Sequence, residues 1–297
     1  MAFLVDRVVR GGTGPVVEVP GKQPIEQVVR FGGGVLVVVS TGEFTTELRR
    51  VEPYAESFSA GRVAGVTSLV TSPEEDLAAY AVQDQSAVYW ADSRDTELVQ
   101  RSLKRAEYGR TNVLAVRGDV VYFGAEGKGY PAPEKYYRWD SKSGQVSAIT
   151  GVRTVEGVNS GGTAVAEFVS GAAQTFCSSV AELPSGKRNF TTCQYSLDGF
   201  TPDDRTVVAS EGFRGGGAER FTAALDAATG HVRRQWVGVQ FVMAVAEDDD
   251  HLLMVVDTGE NTPVGIIRCS IGDGTCEVAL APDRYGRDNV QLLGARV

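Results

Sequence analysis

The chain has 297 residues and a formal charge of −9, from 29 basic and 38 acidic side chains. That balance does not attract a phosphate backbone, which argues against nucleic-acid binding. Two histidines and four cysteines leave little material for a transition-metal site, and no apolar run approaches the about 20 residues that span a bilayer.

In chain order the local signal is strand. Apolar or alternating runs rich in Val, Tyr, Phe and Thr fall at residues 35–39, 77–82, 120–123, 163–169, 207–210 and 252–256, as half-buried pleated surfaces require. Clusters of Gly, Asp, Asn and Ser punctuate them, and no segment carries a capped helical stripe. The chain is predicted to be all-β.

The turns before these runs recur with a period. They centre on Gly33, Glu74, Gly118, Gly161, Asp203 and Asp249, at spacings of 41, 44, 43, 42 and 46. A second turn reads as a short polar or acidic residue, three others, then glycine: Asp140-Ser-Lys-Ser-Gly144, Glu182-Leu-Pro-Ser-Gly186, Asp226-Ala-Ala-Thr-Gly230 and Ser270-Ile-Gly-Asp-Gly274. These stand 42, 44 and 44 residues apart and lag the first turn by 21 to 23. Two registers sharing one period point to a repeat of four strands, A to D, with tight A–B and C–D turns. A lone four-stranded sheet cannot bury both faces, whereas stacked sheets can, and a propeller does this.

The expected architecture is a single seven-bladed β-propeller of about 43 residues per blade; six blades is the alternative. The blades are placed at about 26–60, 61–104, 105–151, 152–196, 197–237 and 238–283. The seventh combines an N-terminal hairpin, 3–19, with a C-terminal strand, 289–297, which leaves no free edge at the seam. In the first blade, strands are expected at 43–50 and 51–57.

Cys269 and Cys276 bracket one C–D turn, at positions equivalent to Trp139 with Val146 and Leu225 with Val232. Cys177 and Cys193 flank another. Cross-strand opposition favours two disulfides, each inside one blade. Free buried thiols and a four-thiolate zinc site are the alternatives, but zinc calls for closer Cys-x₂₋₄-Cys spacing. Two disulfides imply an oxidising, extracytoplasmic compartment. The N-terminus lacks the charged and apolar regions of a signal peptide; either an upstream signal or anchor has been trimmed, the expected case, with any membrane attachment running through it, or the thiols are reduced in a cytosolic protein.

Binding is expected on the B–C loops, predicted at 124–136, 211–221 and 257–265, which are long and rich in Gly or Pro and share one propeller face. Their candidate contact residues are Lys128, Tyr130, Lys135, Tyr136, Arg214 and Arg220, since Tyr and Arg dominate interface hot spots; solvated loop residues are the plainer reading. Catalysis finds little support. His231 and His251 fall at the short turns, and no Gly-x-Ser-x-Gly elbow exists. Residues 247–250, Glu-Asp-Asp-Asp, lack the interleaving of a calcium loop. Gly215–Gly217 lacks the Lys-Ser/Thr of a phosphate loop. Trp90, Trp139 and Trp236 read as blade packing. No cofactor is expected, and the partner is an unidentified protein, small molecule or glycan bound by a monomer.

The hairpins around Asp140, Asp226 and Ser270, with the turns Thr71-Ser-Pro-Glu-Glu-Asp and Phe200-Thr-Pro-Asp-Asp-Arg, resemble those of TolB-like and WD-repeat-like propellers. The Cys-bracketed hairpin is similar to extracytoplasmic propeller domains of actinobacterial membrane proteins and lipoproteins. The resemblance implies a non-enzymatic binding or sensing module. It carries over no catalytic residue, and the Gly-His and Trp-Asp signatures of true WD repeats do not recur. The competing functions are a lyase or glycosidase acting at the central channel mouth and a structural spacer.

Overall fold

A computed structural model describes residues 2–12, 14–58, 61–128, 133–170, 176–211, 219–257, 259, 262–283, 285–286 and 289–293. Two compact units divide the chain: Arg7–Ile149, and Phe3–Asp6 together with Thr150–Arg296. Among the described residues the regular structure is antiparallel β with one 3₁₀ turn, Gln83–Gln85, and no helix is long and apolar enough to cross a membrane.

The strands begin with β1 (Ala2–Val5), β2 (Val8–Gly11) and β3 (Val17–Glu18). One four-stranded sheet follows, β4 (Ile25–Phe31), β5 (Gly34–Gly42), β6 (Thr45–Val51) and β7 (Arg62–Ala64). The next holds β8 (Val66–Thr71), β9 (Leu77–Val82), β10 (Ala87–Asp92) and β11 (Arg101–Lys104). Then come β12 (Tyr108–Arg117), β13 (Val120–Gly127), β14 (Glu134–Asp140) and β15 (Val146–Ile149). The second unit continues with β16 (Thr154–Val158), β17 (Ala164–Ser170), β18 (Phe176–Glu182) and β19 (Arg188–Thr192). A seven-stranded sheet contains β20 (Tyr195–Phe200), β21 (Thr206–Glu211), β22 (Glu219–Asp226), β23 (Val232–Ala246), β24 (His251–Asp257), β25 (Gly265–Ser270) and β26 (Cys276–Leu280). Finally β27 (Val290–Leu292) pairs with β1 in the register Phe3↔Leu292, Leu4↔Gln291 and Val5↔Val290, in a sheet of order β27-β1-β2-β3.

The continuous apolar runs have a packing cause. In β9, Ala78, Tyr80 and Val82 enter one core cluster while Ala79 and Ala81 enter another. In β24, Leu252, Met254 and Val256 face one cluster and Leu253 and Val255 the next. Successive strand residues point to opposite faces, so a sheet packed on both sides needs apolar residues at every position rather than alternate ones. Outer strands read differently: in β26 the residues Cys276, Glu277, Val278 and Ala279 are all exposed.

One sequence expectation is corrected. The last strand of the first four-stranded sheet lies at Arg62–Ala64 rather than 51–57. Pro53 offers no N–H for a ladder, Tyr54 takes φ +62°, and the segment folds back so that Arg49 lies 4.4 Å from the centre of the Phe58 ring. Residues 232–246, placed in two blades that meet at 237–238, run as continuous backbone across that boundary. They form one strand, β23, which pairs with β22 through its first half and β24 through its second. Gly238, at φ +108°, sits between the halves.

The tight turns repeat one geometry. At the second turn type, Gly144, Gly186, Gly230 and Gly274 each donate a backbone bond to the residue four before, at 2.8–2.9 Å, with φ between +67° and +81°. Asp140 Oδ1 accepts from the backbone N–H of Lys142 and Ser143, and Asp226 Oδ1 from Ala228 and Thr229. These bonds hold both carboxyls below the usual range: Asp140 first through the Ser143 backbone, Asp226 first through the Thr229 hydroxyl. Neighbouring A–B turns are tied as well. Gly32 donates to the Glu75 carbonyl at 2.8 Å. In the other unit Asp204 accepts from Asn159 Nδ2, Ser160 N and Gly161 N at 2.9, 2.6 and 2.9 Å, and Asp249 accepts from Asp203 N at 2.8 Å.

Candidate functional site

Both cysteine pairs are disulfides, Cys177–Cys193 and Cys269–Cys276, with Cα atoms 4.0 and 4.1 Å apart. Cys269 and Cys276 are direct cross-strand partners on β25 and β26. In each bond the cysteine residue on the third strand is buried and its partner residue exposed.

The loop candidates divide. Tyr130 and Arg214 lie outside the described residues. Lys128 is exposed just past β13. The predicted loop 124–136 is largely strand, paired as Gly124↔Tyr136, Ala125↔Lys135 and Glu126↔Glu134. Lys135 is therefore an exposed strand residue. Tyr136 is 4% exposed, and its hydroxyl donates to Glu134 Oε2 at 2.6 Å. As placed, it packs inward instead of forming contact surface, because β14 alternates and puts Tyr136 on the face opposite Lys135.

Arg220 also lies on a strand, β22. Its Nε donates to both carboxylate oxygens of Glu211 at 2.9 and 3.0 Å, and its backbone N–H donates at 3.1 Å. The hydrogen bond to Glu211 raises the guanidinium pKa. The pair fastens the base of the connector between β21 and β22. Glu134 Oε1 lies against Gly124, where an added methyl carbon would sit 2.1 Å from it.

Near Lys128 the structure adds a group that the sequence reading missed. Arg105 and Glu107 form an exposed pair at 3.3 Å. The Glu107 carboxyl is held below its usual range, first by a backbone hydrogen bond and further by Arg105 and Lys128. Tyr108 beside them is buried, packs edge-on to Phe123 with centroids 5.8 Å apart, and burial pushes its phenol up to about 12. The sequence signal for this group is the charged connector before β12, Arg105-Ala-Glu107, which carries no glycine or proline.

A second feature was also missed. The opening strands of successive four-strand sets, β4, β8, β12, β16 and β20, each carry a bulge, as does the β24-facing half of β23. The extra residues are Glu26, Thr67, Leu114, Glu156, Asp198 and Val242. Beside the bulges Gln27 Nε2 donates to the Thr67 carbonyl at 3.2 Å, and Val113 N to Ser68 Oγ at 2.9 Å. A methyl carbon on Gly157 would lie 2.8 Å from the Asp198 carbonyl oxygen. A bulge interrupts the ladder locally, and beside Leu114 the Val113 N–H reaches Ser68 of the neighbouring sheet. Because the bulged residues differ in type, no sequence motif marks them.

The remaining candidates are structural. Residues 247–250 form a bonded turn, in which Asp248 accepts from Asp250 N at 2.8 Å and lies 2.9 Å from His251 Nδ1. Among the described residues no group of three His, Cys, Asp or Glu is placed to hold a metal. Trp90, Trp139 and Trp236 are buried.

No family model and no curated protein matches the chain. Solved structures do. The Swd1 β-propeller domain of Myceliophteria thermophila aligns over 93% of this chain and 88% of its own, at 10% identity and TM-score 0.56. An uncharacterized protein of Listeria monocytogenes covers 92% and 87%, at 10% identity and TM-score 0.59. A protein described as TolB from Agrobacterium tumefaciens covers 72% and 79%, at 12% identity and TM-score 0.50. The fold is an all-β propeller.

Proposed function

We propose that this chain is a non-catalytic, extracytoplasmic propeller of seven blades that binds a protein, small molecule or glycan through its B–C connectors. The reading rests chiefly on an asymmetry. From β12 onward the A–B and C–D turns leave two to five residues between strands and are tied by repeated hydrogen bonds, whereas the B–C connectors 128–133, 212–218 and 258–264 leave six or seven; the C–D connectors of the two preceding sheets, 52–61 and 93–100, are longer. Rigid scaffolds with longer connectors at one face commonly place recognition there. Seven blades follow if β23 serves two four-strand sets and β27 joins β1 to β3 as the seventh. The two disulfides support an oxidising compartment. Lys128, Tyr130, Lys135, Arg214 and Arg220 remain the proposed contacts, with Arg105 added and Tyr136 supporting from below.

The test screens the whole chain against a glycan array and solubilised surface proteins of its own cell. Saturable binding lost in K128A/R105A or Y130A/R214A, with an unchanged melting temperature, supports the reading. Binding indifferent to all four substitutions removes it. The second reading, an enzyme acting from the opening strands, draws on the carboxylates at the Glu156 and Asp198 bulges, since bulges are over-represented beside active sites. Turnover lost in E156Q or D198N would favour it.

A further inference from the structure

We propose that the Cys269–Cys276 bond is an exchangeable disulfide, opened by a dithiol partner through attack on Cys276, and that the fold does not depend on it. Three other hairpins carry the equivalent cross-strand pair seven residues apart. They are Trp139↔Val146, Ala181↔Arg188 and Leu225↔Val232. All four hairpins close with the same glycine at positive φ and the same backbone bonds across the turn. The hairpins at Trp139↔Val146 and Leu225↔Val232 form without any disulfide, and the one at Ala181↔Arg188 has none at this position although Cys177–Cys193 joins its strands farther out, so the Cys269–Cys276 bond is surplus to the turn's geometry.

Its placement suits exchange. Cys276 is exposed on β26, the last strand of its sheet, while Cys269 is fully buried on β25. Cys276 is the exposed residue of the pair and Cys269 the buried one, so attack is assigned to Cys276, and exposed disulfides are the labile ones. Attack forms a mixed disulfide at Cys276 and breaks the Cys269–Cys276 bond. Cys269 leaves as a thiolate and takes a proton from water as the short outer strand frays. The partner's second thiol then attacks the mixed disulfide. Cys276 leaves as a thiol, and the partner, having given two electrons, is itself a disulfide. Cys177–Cys193 encloses 16 residues of separation rather than 7 and has no bond-free counterpart among the pairs above.

The experiment uses the whole chain with dithiothreitol as the dithiol. Samples are quenched with iodoacetamide over time, mapped by mass spectrometry, and followed in parallel by circular dichroism. The expected result is that Cys276 and Cys269 become alkylated while the strand signal and cooperative melting persist, at a rate that low urea leaves unchanged. In C269S the remaining Cys276 thiol should react with oxidised glutathione at least about tenfold faster than the Cys269 thiol of C276S, as thiol access dictates. The proposal is overturned if the bond opens only in step with global unfolding, if its reduction unfolds the chain, or if the two single thiols react alike.

Discussion

Glu167 shows how much one side chain can hold in this fold. Its carboxylate is fully buried on β17. It accepts from Ser179 Oγ at 2.7 Å, Arg188 Nε at 2.8 Å and the Arg153 backbone N–H at 2.6 Å. A buried charge persists only when its lone pairs are satisfied and a counter-charge is near, and here the donors come from β18, from β19 beyond it and from the connector before β16. Glu167→Gln keeps the shape, removes the charge and turns an amide N–H₂ toward donors. It should cost about 3 kcal/mol, read as a lower urea midpoint, whereas Glu126→Gln on the exposed edge of β13 should leave the midpoint within about 0.5 kcal/mol. Asp226 makes a pH prediction. Its folded pKa is depressed, first by the Thr229 hydroxyl and then by backbone donors. A depressed carboxyl stabilises above its unfolded pKa, near about 4, and that contribution is lost as the pH falls through the lower folded value. Wild type should therefore lose melting temperature more steeply than D226N below about pH 4, and the two should run parallel from about pH 6 to 8. Parallel curves throughout would contradict the assignment.

At the scale of the element, the glycine closing each second-type turn does two separable jobs. At Gly144 the φ is +76° and no atom outside the turn lies within 4 Å of an added methyl. At Gly230 the φ is +74° and the same methyl would lie 2.5 Å from Phe190 Cδ2, on the strand β19 of the neighbouring sheet. Gly144→Ala should cost about 1 kcal/mol for the left-handed conformation, and Gly230→Ala about 2–4 kcal/mol, because the Phe190 ring must also move. Equal costs in thermal melts would mean that the turn does not rest on Phe190. These turns were legible in the sequence because their chemistry is local: a short polar residue, three others and a glycine. The bulges were not, since the extra residues Glu26, Thr67, Leu114, Glu156, Asp198 and Val242 share no property. Tyr136 was misplaced for a related reason. Its segment carries Gly and Pro and reads as loop, yet pairing to β13 continues through Glu126↔Glu134, and a tertiary ladder overrides composition.

Across the whole molecule the repeat was readable because apolar runs buried on both faces recur at one period, and the two disulfides followed from cross-strand register. The functional face was readable only as an expectation, since the residues that would define it are side chains on connectors, free of the periodic constraint that made the scaffold visible. The chain ends supply the last test. Phe3, Val5, Val290 and Leu292 share a core cluster with Val245, Leu253, Val255, Val264 and Ile266, so the short strand β27 is buried by elements far from it in sequence. Contacts of such long separation form late and depend on the rest of the core. Leu292→Ala should cost about 2–5 kcal/mol despite lying in a three-residue strand, as large-to-small changes in packed cores do. It should also unpair β27 from β1, leaving the backbone of β1 as an open edge that promotes association. The variant is expected to show a lower urea midpoint together with concentration-dependent light scattering. Val278→Ala, on exposed β26, should show neither, and a Leu292→Ala protein matching wild type in both would mean that β27 does not close this sheet.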